Sequence, residues 1–143
     1  MGKEKMTKLE KQWVLYDVGN SAFVMLVSTI IPIYFKNMAT ASGISAANST
    51  AYLSYAISIS TILVALLGPV CGAAADNKGF KKPLFTAFMM IGVIACAAMG
   101  IPKTWLAFLV VFVIAKVGFS GSLIFYDSML VDAVSYTHLR AHE

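Results

Sequence analysis

Apolar residues run along this chain in four long blocks, each followed by a short polar or charged interval. The first block comes after a charged head, MGKEKMTKLEKQ, and extends from about Trp13 to Phe35. At about 1.5 Å per helical residue, a block of that length is enough to cross a bilayer. A polar, uncharged interval, NMATASGISAANST, separates it from a second block at 51–75, where Ser49 or Thr50 is expected to cap the helix. The third covers 84–101 and opens just after Pro83, a residue suited to a first helical turn. The fourth runs over 105–126, with Pro102, Lys103 and Thr104 predicted as a tight turn before it. The pattern predicts an all-α integral membrane protein with about four transmembrane helices.

A signal peptide is the competing account of the first block. Lysines precede it, and Ala39, Thr40 and Ala41 resemble a small-residue cleavage site. Its apolar region nevertheless exceeds the roughly 7 to 15 residues of a signal core, and it contains Asp17 and Asn20. A retained helix is the expectation.

Composition agrees with the pattern. Of 143 residues, 59% are hydrophobic and 13% charged, against roughly 25% charged in soluble domains. The net charge of +4 is therefore read by side of the membrane and gives no hint of nucleic acid. Lys3, Lys5, Lys8 and Lys11 precede the first block, and Lys78, Lys81 and Lys82 follow the second; Lys36 and Lys103 fall on the other side. This bias predicts a cytoplasmic amino terminus, with Trp13 and Trp105 at helix ends near the interface. Cys71 and Cys96 lie inside apolar blocks, where packing is expected and a disulfide is not.

Three groups of residues carry candidate chemistry. The stretch GPVCGAAADNKGFKK spaces Gly68, Gly72 and Asp76 four apart, giving one stripe along the cytoplasmic end of the second helix, narrow enough for a neighbouring backbone to approach. Pro69 can bend the helix there, Gly79 supplies a permissive dihedral for a turn, and Lys81 and Lys82 start the next helix. The plainer account is a positive turn that only sets topology. In the first block Asp17, Asn20, Ser21, Val24 and Ser28 are expected on one helical face. Hydrogen bonding to a neighbouring helix would explain Asn20 and Ser21 without a functional role. Lys116 falls near the middle of the fourth block, where a charge costs about 2.5 to 3.5 kcal/mol on insertion scales. A structural ion pair or an uncharged lysine is the alternative to a functional one. Asp127 follows eleven residues later, about 16 Å along the helix and on the membrane face that holds Lys81 and Lys82.

The run from Gly72 through Asp76 and Gly79 to Lys81 and Lys82 resembles the loop signature of the major facilitator superfamily, with Asn77 where that family carries arginine. WVLYDVGNSAFVMLVSTIIPIYF and FYDSMLVD are similar to the branch containing vacuolar amino-acid effluxers and their bacterial relatives, the likeness covering about residues 12–132. The resemblance implies a twelve-helix fold of which this chain is the first part, with further helices beyond it completing the substrate cavity. It implies a secondary transporter in a bacterial cell membrane, moving small solutes such as amino acids by alternating access, with protons as a coupling partner and no cofactor. It places Asp17, Asn20, Ser21 and Lys116 among substrate or coupling candidates, Lys116 lying loosely where superfamily members carry a functional arginine on helix four. It also implies that Asp76 latches the two halves, while Lys81 or Lys82 pairs with Asp127 or Asp132.

The domain organisation expected is a cytoplasmic head at 1–12, helices one to four at 13–132, and a tail at 133–143. That tail, AVSYTHLRAHE, resembles translated adapter sequence and is expected to be non-native. His138 and His142 sit four apart there, but two ligands without a third do not make a metal site. With no other histidine, and no nucleophile beside a base, an enzyme is not expected. Two further classes stay open: a complete four-helix transporter acting as a dimer, and a non-transporting anchor subunit.

Overall fold

The computed structural model describes residues 8–75 and 79–140, with side chains described for these except 8–10, 13, 75 and 130–140. The elements are α1 (Lys8–Met25), a π-helical turn (Leu26–Ile30), α2 (Ile31–Ala41), α3 (Ala46–Ala75), α4 (Lys81–Ala98) and α5 (Trp105–Arg140). Among the described residues, four spans are long and apolar enough to cross a membrane: Val14–Ala41, Ala46–Ala74, Lys81–Ala98 and Trp105–Met129. These are the four blocks of the sequence, and the chain is an all-α integral membrane protein.

Helix ends follow from local chemistry. Past α2, Gly43 takes φ +84°, which lets its N–H reach the Thr40 carbonyl and the Ile44 N–H reach that of Ala39, closing the helix in a Schellman arrangement. Ser45, rather than Ser49 or Thr50, caps α3: its hydroxyl oxygen accepts the Asn48 N–H at 3.2 Å. The hydroxyls of Ser49 and Thr50 instead donate back to the Ala46 carbonyl inside the first turn. The polar interval was shorter than it looked, because alanines 46 and 47 already belong to the helix.

Pro69 sits inside α3, which continues past it to Ala75. Gly79 takes φ +93° in the turn before α4, as its position predicted. Pro83 occupies the first turn of α4, where a missing N–H leaves no helical bond unmade. No glycine or proline follows Gly121, so α5 passes the end of its apolar block at Tyr126 and continues to Arg140.

The chain forms two compact units, residues 1–50 and 51–143. In the first, Ile31, Phe35 and Ala39 recur every four residues on α2 and are all buried. In the second, α3 and α5 run parallel and α4 returns between them in sequence. Tyr52 stacks on Trp105 at one end, with ring centroids 5.1 Å apart. Near the other end Cys71 and Phe125 are buried, packed by Leu67, Leu84, Phe85, Phe88 and Ile124. Phe88 and Phe125 meet at 5.7 Å with tilted planes, a geometry aromatic pairs favour.

Candidate functional site

On α1, Asp17 and Ser21 are exposed, while Asn20 is half-buried. The carboxamide oxygen of Asn20 is itself fully buried, and no hydrogen-bond donor reaches it. Val24 is half exposed, so this face is neither covered nor uniformly apolar. The face stops at the π-helical turn. There the Ile31 N–H bonds the Leu26 carbonyl, five residues back, and Pro32 has no N–H to continue an i to i−4 ladder. The hydroxyls of Ser28 and Thr29 donate to the carbonyls of Val24 at 2.8 Å and Met25 at 2.6 Å, competing for the same acceptors. A proline and two such hydroxyls within five residues favour a widened turn. Ser28, the last residue of the predicted stripe, lies inside this turn and is exposed like Val24.

Lys116 is half-buried on α5, beside buried Ala115 and one turn after buried Phe112. Eleven residues separate it from Trp105 and thirteen from Met129, the ends of the span, so it lies near mid-membrane. No carboxylate among the described residues pairs with it. Serines elsewhere in the second unit satisfy themselves: Ser60 donates to Ala56, Ser122 to Phe119 and Ser128 to Phe125, all backbone carbonyls of their own helix.

On either side of the loop, Cys71 and Leu84 pack with Phe125. Gly68 and Gly72 are half-buried, and a Cβ on either would meet nothing within 4 Å. The close approach expected at these glycines occurs instead between α4 and α5, at Gly92 and Gly118, with Gly121 against the Phe88 ring. Lys81 is half-buried and Lys82 exposed; Asp127 is exposed and pairs with no described cation. Asp76 and Lys78, and the side chain of Asp132, lie outside the described residues.

Comparison with known proteins places this arrangement. A family model described as "Vacuole effluxer Atg22 like" matches residues 44–142. The chain belongs to the vacuole effluxer Atg22-like family. It is also 46% identical, over 132 residues, to a protein of Bacillus subtilis (strain 168) described as "Uncharacterized MFS-type transporter YxiO". That alignment takes in 90% of this chain and 31% of the relative, so the chain spans about a third of the length of the protein it matches. No solved structure matches.

The stretch assigned to the Atg22-like family holds α3, α4 and α5 entire, and with them the glycine loop, Lys116 and Asp127. Two features of this family member went unread in the sequence. The π turn had one signal, Pro32 in the middle of an apolar block. The α4–α5 contact had another: Gly92 and Ala95 on one helix and Ala115, Gly118 and Gly121 on the next, small residues spaced by three or four.

Proposed function

We propose that this chain is the amino-terminal part of a secondary active transporter that moves small solutes, amino acids among them, by alternating access. It sits in the cell membrane with its amino terminus in the cytoplasm, and helices beyond it complete the cavity. An ion gradient drives transport, and protons are one such ion. The observation that carries this reading is Lys116, a cation placed mid-span with no described counter-charge. No carboxylate among the described residues compensates it, and such a charge is costly at that depth. A transporter gives it a partner, either the carboxylate of a passing substrate or an acidic group in the remaining helices. Membership of an effluxer family and the likeness to an MFS-type transporter support the same class. The loop at 68–82 then acts on the conformational balance, with Asp76 as a latch and Lys81 or Lys82 facing Asp127 or Asp132.

The test is transport by the purified protein, at its full encoded length, in proteoliposomes. Uptake or counterflow of radiolabelled amino acids, raised by an imposed ion gradient and abolished by its collapse, is the expected result. Absence of flux for a panel of amino acids and other small metabolites under every gradient would reject the proposal.

A further inference from the structure

Among the four spans α4 has 18 residues, against 28, 29 and 25 for the others. At about 1.5 Å per residue it rises about 27 Å, less than the roughly 30 Å of bilayer hydrocarbon, and its first two residues, Lys81 and Lys82, are counted in that length. Both lysines are therefore held at the headgroup layer rather than in water beyond it, and their stems must snorkel to bring the ammonium groups to the phosphates. The two face opposite ways. Steps of four, three and four from Lys81 lead through Phe85 and Phe88 to Gly92, the side on which Phe88 meets Phe125 and Gly92 meets the backbone of α5. Steps of four, four and three from Lys82 lead to Thr86, Met90 and Val93, all exposed. Lys81 is accordingly half-buried and Lys82 exposed, and no carboxylate among the described residues pairs with Lys82. Phe80 precedes them as the cap of α4, with 60% of its surface exposed.

We propose that Lys82 and Phe80 form a binding site for the headgroup of an anionic phospholipid on the outer face of α4. A cation fixed among headgroups takes its counter-charge there. A zwitterionic headgroup brings a phosphate together with its own ammonium, whereas an anionic one brings the negative charge alone and is worth more to a basic residue at the surface. The exposed Phe80 ring lies against the acyl chains beside that charge, the pairing of apolar anchor and cation that membrane-surface segments use. Below Lys82 the exposed Met90 and Val93 continue the same face as an apolar wall for the lipid tails. Of the basic pair, Lys81 then takes the acidic contact within the protein and Lys82 takes the lipid. The site does not depend on transport, and the proposed orientation decides only that the leaflet is the cytoplasmic one.

Dioleoylphosphatidylglycerol is the probe, with dioleoylphosphatidylcholine as its zwitterionic counterpart. The wild-type protein at full encoded length, in dodecyl maltoside micelles, is expected to unfold at a higher temperature as phosphatidylglycerol is added, with a saturating dose dependence, and to respond less to phosphatidylcholine at the same mole fraction. Lys82→Gln should raise the half-saturating fraction of phosphatidylglycerol about fivefold, Lys82→Arg should largely restore it, and Phe80→Ala should raise it by a smaller factor. Lys103→Gln removes an exposed lysine beyond the other end of α4 and should leave the response unchanged. Equal stabilisation by the two lipids would overturn the proposal, and so would a wild-type response in Lys82→Gln. A loss in Lys103→Gln as large as in Lys82→Gln would reduce the effect to bulk charge and overturn the site. Sodium phosphate that stabilises the protein as much as the lipid does would mark a free anion in its place, and a wild-type response in Phe80→Ala would remove the ring from the site. Should Lys82→Gln fail to fold, the comparison of the two lipids on the wild type and the Phe80→Ala response decide.

Discussion

A Cβ placed on Gly118 would lie 2.6 Å from the Gly92 nitrogen and 3.1 Å from the Phe88 carbonyl oxygen, so α4 and α5 meet backbone against backbone. Atoms of the main chain cannot rotate away as the tip of a side chain can. Gly118→Ala must therefore push the helices apart and should destabilise the protein by about 1–3 kcal/mol, outweighing the roughly 1 kcal/mol that alanine gains over glycine as a helix former. At Gly68, where nothing lies within 4 Å of a Cβ, the same substitution should be neutral or stabilising in this chain. Thermal unfolding in micelles separates the two, and a Gly118→Ala protein as stable as wild type would refute the contact.

The π turn yields a second expectation. With Pro32→Ala a donor returns at the position where the α-helical ladder fails, worth about 1 kcal/mol if the bond forms. Relaxation to a continuous helix would rotate the residues of α2 by about 100° relative to α1, one residue's worth of turn. Cysteine scanning across 31–41 should then show the protected positions, at Ile31, Phe35 and Ala39 in the wild type, shifted by one place. An identical labelling pattern in both backgrounds would show that Pro32 does not hold the turn open.

Much of this architecture was legible because hydropathy and length act along the chain without reference to neighbours. Four apolar blocks became four spans, and Gly79 took the positive φ its place between α3 and α4 required. What was missed depends on pairs of elements or on hydrogen bonds in competition. Whether glycine lets two helices touch is decided by what faces it, so Gly68 and Gly72 stand in open space while Gly92 and Gly118 meet. The face from Asp17 was legible from the helical period, but the change of hydrogen bonding at Ser28 was not. The burial of one oxygen of Asn20 could not be read from spacing at all.

The lysine bias predicts orientation. Cysteines introduced at Ser45 and Lys82, both exposed, should react with a membrane-impermeant thiol reagent from outside and inside respectively. Cys96, half-buried, is replaced by alanine for this purpose, while Cys71 is buried. The reverse labelling would overturn the assignment of the amino terminus to the cytoplasm.

For Asp76, the latch role makes a distinction between folding and conformational balance. A partly solvated contact with a helix amino terminus or a basic side chain is worth about 0.5 to 2 kcal/mol, which corresponds to a shift of about twofold to thirtyfold between two states. Asp76→Asn in the intact protein should leave expression near normal while slowing transport and raising cytoplasmic accessibility of the cavity. Transport at the wild-type rate would return the loop to a positive turn that sets topology.

Lys116→Met keeps the length of the side chain and its apolar character while deleting the charge. If Lys116 only packs beside Phe112 and Ala115, removing a cation that costs about 2.5 to 3.5 kcal/mol to insert should be harmless or stabilising. If it meets a substrate carboxylate or a coupling group, the same change removes an interaction made during the cycle. The expected outcome is therefore a pair of results moving in opposite directions: unfolding temperature in micelles unchanged or raised, and concentrative transport lost. Lys116→Arg sharpens the comparison, since it restores the charge but replaces a compact ammonium with a planar fork. Partial recovery of transport in Lys116→Arg would assign the role to charge, and none would assign it to the geometry of the ammonium. Concentrative transport that survives Lys116→Met at the wild-type rate would remove this residue from the mechanism and, with it, the observation on which the transport reading chiefly rests.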